Sequence, residues 1–425
     1  MATAGWHTAR VTAPEHAERG DDTSNAGTRE WMTPGVAGIG TASFLADVGH
    51  EIPTALLPSL LTSTLGAPAS ALGAIEGVSD ALAGIARFGG GALADEPARR
   101  RNIAVGGYTT TAVLSAGIGA TTGVWQVAVL RAGAWTARGL RVPARNALLA
   151  DVVPAKAYGR AYGFERSMDN LGAIGGPLLA IALVATVGTR WAIGLSVIPG
   201  LLAALAIIYA IRHTARPKPA AKRPLRIVIR PVLVGPLRPL FAGITAFEIG
   251  NVAATLLILR ASELLEPDHG QDRATTLALG LYVAYNVAAT LTSFPAGQHT
   301  DRRGATRVLL AGTAAFAVAY LWFTQDTANW AMLLPAFVLA GIGIGCVETA
   351  EHAAVATHAP EDIRGSAFGL LAAIQSLGNL AASLIAGILW TALSPTWAFA
   401  YLAAWMLLAL IILATTTSRG APASA

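Results

Sequence analysis

Long runs of apolar residues, separated by short polar connections, make up most of the chain from residue 33 onward. Each run is long enough to cross a hydrocarbon core, which takes about 20 residues in a helix. Glycine, proline or charged residues mark the connections, as at residues 66–68 and 121–123. The pattern predicts an all-α membrane protein with twelve transmembrane helices. The predicted helices span residues 33–62, 69–93, 102–122, 124–151, 159–187, 190–212, 237–264, 272–297, 304–323, 327–357, 362–391 and 395–417.

Composition supports the membrane interpretation. Of the 425 residues, 54% are hydrophobic and 13% are charged, whereas soluble domains carry roughly 25% charged residues. The net charge of +5 comes from cations in short loops, which points to lipid rather than to nucleic acid. Cys346 is the single cysteine, so it forms neither an intrachain disulfide nor a paired-cysteine metal site. We predict no metal and no cofactor.

The distribution of lysine and arginine predicts the orientation in the membrane. If the N-terminus is cytoplasmic, the cytoplasmic loops hold clusters such as residues 99–101, 212–230 and 302–307, and the outer loops hold only Arg190 and Arg273. Cytoplasmic loops are enriched in these residues, so both termini are expected in the cytoplasm. Arginine greatly outnumbers lysine, which is typical of a high-GC bacterial genome and predicts the plasma (inner) membrane.

The longest polar connection divides the chain into two sets of six predicted helices. We expect a disordered cytoplasmic tail and a first bundle, then a basic cytoplasmic linker, a second bundle and a short tail. Their expected bounds are 1–32, 33–212, 213–236, 237–417 and 418–425.

Glycines, prolines and aspartates recur at a constant offset of 206 residues. An offset of six helices preserves orientation, so the halves are predicted to be parallel repeats about an axis along the membrane normal, with substrate bound between them near mid-membrane. The pairs are Gly91/Gly297, Asp95/Asp301, Gly106/Gly312, Gly139/Gly345, Pro154/Pro360, Gly163/Gly369 and Gly172/Gly378.

The segment from Gly91 to Arg101, Gly-Ala-Leu-Ala-Asp-Glu-Pro-Ala-Arg-Arg-Arg, resembles the signature loop of the major facilitator superfamily, G-x-x-x-D-R-x-G-R-R. A second copy begins at Gly297, while the first copy departs from the pattern at residues 96–98. The resemblance covers about residues 33–417 and implies two pseudo-symmetric six-helix bundles that work by alternating access. It also implies that Asp95 meets the start of the eleventh helix and Asp301 that of the fifth. The implied gate residues are Gly91, Asp95, Arg99, Asp151, Asp301 and Arg302.

A second motif lies in the fifth predicted helix, where Gly163, Gly172, Gly176 and Pro177 resemble a pattern of the superfamily's proton-coupled antiporters. Glycines at this spacing allow close approach of neighbouring helices, and proline permits a bend. Generic packing of small residues is the alternative.

Ionisable side chains at membrane depth are candidates for function. Asp47 and Arg138 each lie near the midplane at 1.5 Å per helical residue, so we expect them to pair, and we expect Glu165 and Asp169 to face Arg141 or Arg145. We predict Asp47 with Glu51 as the proton site, tuned by Arg138 and Asp80. The alternative is a structural ion-pair network. The candidate proton-coupling and cavity residues are Asp47, Glu51, Glu76, Asp80, Arg138, Glu165, Asp169, Glu248 and Glu348.

These features predict a secondary active transporter that exports a small organic molecule in exchange for protons. One alternative is proton- or anion-coupled uptake of an organic anion, which the arginines of the fourth helix would suit. A polytopic membrane enzyme is the other, although neither an H-E-x-x-H nor a G-x-S-x-G motif occurs. The expected partners are substrate, protons and the lipid bilayer, without nucleic acid, and the expected state is a monomer.

Overall fold

The computed structural model describes residues 31–214, 232, 233, 235, 237–326 and 329–419. The expected tails and the expected linker fall almost entirely outside these residues. Within the described residues the regular structure is helical, and no strand occurs.

The first half, residues 34–212, contains six long helices. Its first helix begins where the Thr33 hydroxyl accepts a hydrogen bond from the backbone of Val36 at 3.3 Å, with Pro34 in the first turn. The third helix begins at Pro97, earlier than predicted, because proline is well suited to a helix start. The helices are α1 Pro34–Ser59, α2 Ala69–Ala94, α3 Pro97–Gly117, α4 Val124–Asp151, α5 Tyr158–Leu195 and α6 Val197–Arg212.

The second half repeats this arrangement with one broken helix. The seventh transmembrane segment is interrupted at residues 251–253, so its two parts are labelled α7a and α7b. The helices are α7a Leu237–Gly250, α7b Ala254–His269, α8 Gln271–Arg303, α9 Ala305–Phe323, α10 Trp330–His358, α11 Arg364–Ala392 and α12 Pro395–Arg419.

Glycines mark where two of these helices turn or end. The helical residues of α5 run past a kink at Gly188, whose φ is 79°, so the chain changes direction between the predicted fifth and sixth helices, 159–187 and 190–212. α8 continues beyond its predicted end at 297 and stops at Gly304, whose φ of 86° favours glycine. Asp301 therefore lies within a helix, while Asp95 follows the end of α2.

Packing within each half follows the same plan. α1 packs against α5 and α6, and α4 packs against α2 and α3; six helices further on, α7a packs against α11 and α12, and α10 against α8 and α9. The halves meet along α2–α11 and α5–α8, which are also related by the offset of six helices. The repeat read from the sequence is therefore present in the packing.

Membrane-spanning character is distributed unequally between the halves. Among the described residues, eight helical stretches are long and apolar enough to cross a membrane by themselves. They include every transmembrane segment of the second half but only α3 and α5 of the first. α1, α2 and α4 each carry charged residues at membrane depth, which lower their mean hydropathy, and α6 has 16 residues.

Candidate functional site

The two halves approach each other most closely at the face that carries the signature loops, here called the motif face. A Cβ atom on Gly91 would lie 2.8 Å from the carbonyl oxygen of Gly365 and 2.8 Å from the Cα of Gly369. Gly297 meets Gly159 in the equivalent way. Both crossings bring backbone against backbone, which a larger residue would prevent. The motif face is closed in this structure.

Two aspartates cap helices of the opposite half at this face. Asp95 accepts a hydrogen bond from the backbone N–H of Ser366 at 2.7 Å and another from its hydroxyl. Asp301 accepts from the backbone N–H groups of Gly159 at 2.6 Å and Arg160 at 3.1 Å. Ser366 and Arg160 are themselves 206 residues apart. Carboxylates are favoured at helix N-termini, and both aspartates lie where the family resemblance implied.

The aspartate of the first loop is partly removed from water by this closure. Burial raises the pKa of Asp95, while the hydrogen bonds from Ser366 lower it. Opening the motif face would therefore return the carboxyl to water, where its charged form is better solvated.

The remaining candidate gate residues are arranged differently from expectation. Arg99 pairs with its neighbour Glu96 at 2.6 Å, and Arg302 is exposed. Asp151 instead binds Arg100 at 2.8 Å and Arg364 of the second half at 3.6 Å. The sequence analysis chose Arg99 from the run of three arginines, whereas in the structure Arg100 is the one that contacts Asp151.

Asp47 and Arg138 meet as predicted, and a histidine joins them. Arg138 lies 3.5 Å from the Asp47 carboxylate and 2.9 Å from the His50 ring nitrogen Nε2. His50 also reaches Asp47 at 3.2 Å and Glu51 at 3.1 Å. The predicted proton site is thus a four-membered cluster of α1 and α4, in which the His50 ring lies between the two carboxylates and the arginine.

The two acidic side chains of α2 contact residues of α4 other than Arg138. Glu76 pairs with Arg131 at 3.0 Å. Asp80 accepts a hydrogen bond from the Trp135 indole at 2.8 Å, and its influence on Asp47 stays a prediction. Trp135 also lies beneath the Arg131 guanidinium, 3.4 Å from ring centroid to Cζ.

A second charged cluster links α4 and α5. Arg145 lies 2.7 Å from Glu165 and 3.4 Å from Asp169, so Arg145 rather than Arg141 is the partner of these acids. Arg166 binds Glu165 at 2.8 Å and approaches Glu348 of the second half at 3.7 Å. The carboxylates of the first half are therefore matched by nearby donors.

The glycines of the α5 motif hold that helix against its neighbours. A Cβ on Gly172 would lie 2.6 Å from the carbonyl oxygen of Phe44, and one on Gly176 would clash with the Cβ of Glu51. Gly163 meets the carbonyl of Ser293 on α8, and Pro177 follows within α5. The motif therefore presses α5 onto α1 beside the Asp47 cluster and onto the second half nearer the motif face.

Two carboxyl groups of the second half have only amide partners among the described residues. Glu248, 2% exposed, accepts from Asn251 at 3.0 Å. Glu351, 0% exposed, accepts from Gln375 at 3.0 Å through one oxygen, and its other oxygen has no partner. Glu351 is absent from the predicted site residues. The sequence repeat could have identified it. At the offset of 206 residues, Glu351 corresponds to Arg145 and Gln375 to Asp169, which form an ion pair in the first half.

Comparisons with known proteins agree with this architecture. The family model of the Major Facilitator Superfamily matches residues 39–264 and 261–425. An uncharacterized MFS-type transporter of Methanocaldococcus jannaschii is 28% identical over 389 residues, covering 91% of this chain and 95% of that protein. The class C tetracycline resistance protein of Escherichia coli is 30% identical over 153 residues, covering 35% of this chain and 36% of that protein.

The structural comparison extends over nearly the whole chain. The crystal structure of a bacterial homologue of the iron transporter ferroportin, in its outward-facing state, superposes with a TM-score of 0.71 at 16% identity, covering 91% of this chain and 100% of that one. The predicted fold class is confirmed, and the family comprises membrane transporters rather than enzymes. The chain belongs to the Major Facilitator Superfamily.

Proposed function

We propose that this protein exports a small organic molecule across the plasma membrane in exchange for protons. It works by alternating access as a monomer, with the motif face and both termini in the cytoplasm. The observation that carries the proton coupling is the pair of buried carboxyl groups, Glu248 and Glu351, which lack a cationic partner among the described residues.

Charge balance distinguishes these two groups from the acids of the first half. An ionised carboxylate that is buried without a cation is strongly disfavoured, and such a group takes up a proton instead. Glu351 has a suitable place for the proton in its unpartnered oxygen. The equivalent position of the first half, Arg145, is a permanent cation bound to two acids. The repeat thus holds a fixed charge in one half and a titratable group in the other.

The surroundings of the two acids connect them to the interface between the halves. On α10, Glu348 is 28% exposed and faces Arg166 of α5. His352 lies one residue after Glu351 and stacks with Tyr162 and Phe368.

From α2, Arg87 reaches the α11 carbonyl of Ala372 and the Ser376 hydroxyl, and it forms no ion pair with either acid. Movement of the halves would shift Arg87 and Arg166 relative to the acids.

A transport cycle follows from this arrangement. With the motif face closed, Glu248 and Glu351 hold protons taken from the opposite face. Opening of the motif face separates α2 from α11 and α5 from α8, which admits water and favours ionisation of the carboxyls. The protons then leave on that side, and substrate enters from it. Because proton release and substrate entry alternate, the proton gradient drives export.

The similarity to a tetracycline resistance protein over part of the chain supports export of small organic molecules. The competing function is uptake of an organic anion, favoured by Arg138, whose side chain is 27% exposed beside the Asp47 cluster. Asp47 with Glu51 is the competing proton site. Asp47, however, already forms an ion pair with Arg138 and contacts the His50 ring.

Proteoliposomes with an imposed pH gradient test the proposal. A panel of tetracyclines, cationic dyes and organic anions identifies a transported substrate by gradient-driven flux. We then expect Glu351→Gln and Glu248→Gln to abolish accumulation driven by the gradient but to retain substrate exchange at equal pH, because a neutral amide cannot release a proton. Glu263→Gln, at an exposed position of α7b, is the matched control.

Wild-type accumulation by Glu351→Gln and Glu248→Gln would exclude the second-half site. Loss of accumulation in Asp47→Asn alone would assign proton coupling to the α1 cluster. Accumulation of an organic anion in the direction of the proton gradient would replace export with uptake.

A further inference from the structure

Among the four arginines of α4 at membrane depth, Arg141 differs from the others. Arg131, Arg138 and Arg145 each have a carboxylate partner within 4 Å. Arg141 is 2% exposed and makes no hydrogen bond or salt bridge to any residue that the structure describes; its guanidinium stacks on the Tyr108 ring at 3.9 Å. A buried guanidinium keeps its charge, and burying a charge without a partner is strongly unfavourable.

Two further polar groups near this arginine also lack partners. The Tyr108 hydroxyl, the Ser115 hydroxyl and the Arg141 Nε are all buried and make no hydrogen bond within the described part of the chain. The three side chains line one small cavity inside the first half, between α1, α3, α4 and α6. Gly49 of α1 and Gly200 of α6 also line it, where α1, α3 and α6 pack closely against one another.

The groups that converge on the cavity define the ligand. Arginine supplies only donors, and both hydroxyls are free to donate. Asp47 lies near enough to influence Arg141 electrostatically, but His50 and Arg138 already bind it. The cavity volume of ≈ 10 Å³ is about that of one water-sized probe, which favours a single-atom anion over phosphate, sulfate or an organic carboxylate.

We propose that this cavity binds a single halide-sized anion, chloride under physiological conditions, held by Arg141, Tyr108 and Ser115. The anion neutralises Arg141 and satisfies the two hydroxyls. His50 forms part of the same wall, so the anion sits behind the ring that links Asp47, Glu51 and Arg138. Chloride occupancy therefore stabilises the first half and fixes the position of that ring, independently of which substrate or coupling ion is transported.

Thermal unfolding of the purified protein in lipid nanodiscs measures this binding without substrate or a pH gradient. Chloride is replaced by gluconate, which is too large for the cavity, at constant ionic strength. We expect the unfolding midpoint to rise saturably with chloride. Tyr108→Phe and Ser115→Ala each remove one hydrogen bond to an anion, so the apparent Kd should increase about tenfold. Arg141→Gln should abolish the chloride effect.

Thr111→Val is the matched control, because Thr111 lines the same cavity but donates its hydroxyl to the Ala134 carbonyl at 3.4 Å. Its chloride response should equal that of the wild type. A crystal grown in bromide should show an anomalous peak in the cavity of the wild type, and this result does not depend on how any variant folds. Water without bromide in the cavity, or an unchanged chloride response in Tyr108→Phe and Arg141→Gln, would overturn the proposal.

Discussion

At the scale of single residues, charge is satisfied differently in the two halves. Glu165 accepts from Ser43 at 2.6 Å and from Arg145 at 2.7 Å, and it also binds Arg166. Such a network holds α1, α4 and α5 together, and none of these groups can change its charge without cost. The second half replaces the equivalent ion pair with Glu351 and Gln375. A structural role is therefore favoured for the Glu165 network and a titrating role for Glu351.

Removing the charge of Glu165 tests the structural role. Glu165→Gln leaves Arg145 and Arg166 with less compensation in a buried site, so we expect a loss of stability of about 3 kcal/mol, measured as a lower midpoint of thermal unfolding in nanodiscs. Asp80→Asn is the control, since Asp80 is exposed and an amide oxygen still accepts from Trp135. Equal midpoints for the wild type and Glu165→Gln would show that the network contributes little to stability.

The sequence predicts depth along a helix better than rotation about its axis. The rise per residue was sufficient to pair Asp47 with Arg138. It was insufficient to choose between Arg141 and Arg145, or between Arg99 and Arg100, because neighbouring positions point in different directions. Glu351 was not among the predicted site residues for a related reason. What distinguishes it is that no cation pairs with it among the described residues, and only the packed structure shows which side chains surround it.

At the scale of helices, the two signature loops act through the helix ends that they touch. Asp95 and Asp301 each cap the first turn of a helix in the other half, and the glycines beside them let the helices cross closely. The repeat predicted this reciprocity from sequence. The break at 251–253 was not predicted, because an apolar segment reads as one helix whether or not its backbone is continuous. The turn at Gly188 falls between the predicted fifth and sixth helices.

Asp95→Asn tests the role of this cap in gating. Asparagine still accepts from Ser366 but lacks the charge that a helix N-terminus favours, which contributes about 0.3–1 kcal/mol. We expect the closed motif face to be less populated and turnover to slow severalfold, with a smaller change in substrate binding. Spin labels on the exposed residues Ala98 and Glu361, in a Cys346→Ser background, report the separation of the halves.

Glu96→Gln is the control for this change, because Arg99, three residues further on, is the one ion-pair partner of Glu96 among the described residues. The Asp95 carboxylate has no part in gating if turnover and label separation in Asp95→Asn match those of the control.

At the scale of the molecule, the contacts between the halves are concentrated toward the motif face. Further from that face, the halves are joined by a hydrogen bond from Arg87 to Ser376 between α2 and α11. A second hydrogen bond, from Ser167 to the Thr290 carbonyl at 2.9 Å, joins α5 and α8. Rocking of one half against the other would break the Asp95 and Asp301 caps together, because the two are related by the repeat. The proposed topology places this face in the cytoplasm.

Reporter fusions test that orientation. A fluorescent protein that matures only in the cytoplasm, fused after Thr214, should be bright, and a periplasmic phosphatase fused there should be inactive. Fusions after Gly188, at the opposite end of α5, should give the reverse, because the positive loops remain in the cytoplasm. Activity of the phosphatase after Thr214 would invert the topology and, with it, the assignment of the motif face.

The uneven hydropathy of the two halves bears on how the protein is made. Each transmembrane segment of the second half is long and apolar enough to cross a membrane by its composition, and among the described residues α1, α2 and α4 do not reach that level. A charged residue at the centre of a lone helix disfavours insertion by about 2.5–3.5 kcal/mol. We therefore expect α1, α2 and α4 to enter the bilayer together, with Asp47 paired to Arg138 and Glu76 to Arg131. Membrane insertion of these helices would then follow the synthesis of α4. The arginines of that helix would stabilise the nascent chain in the membrane before the transporter is complete.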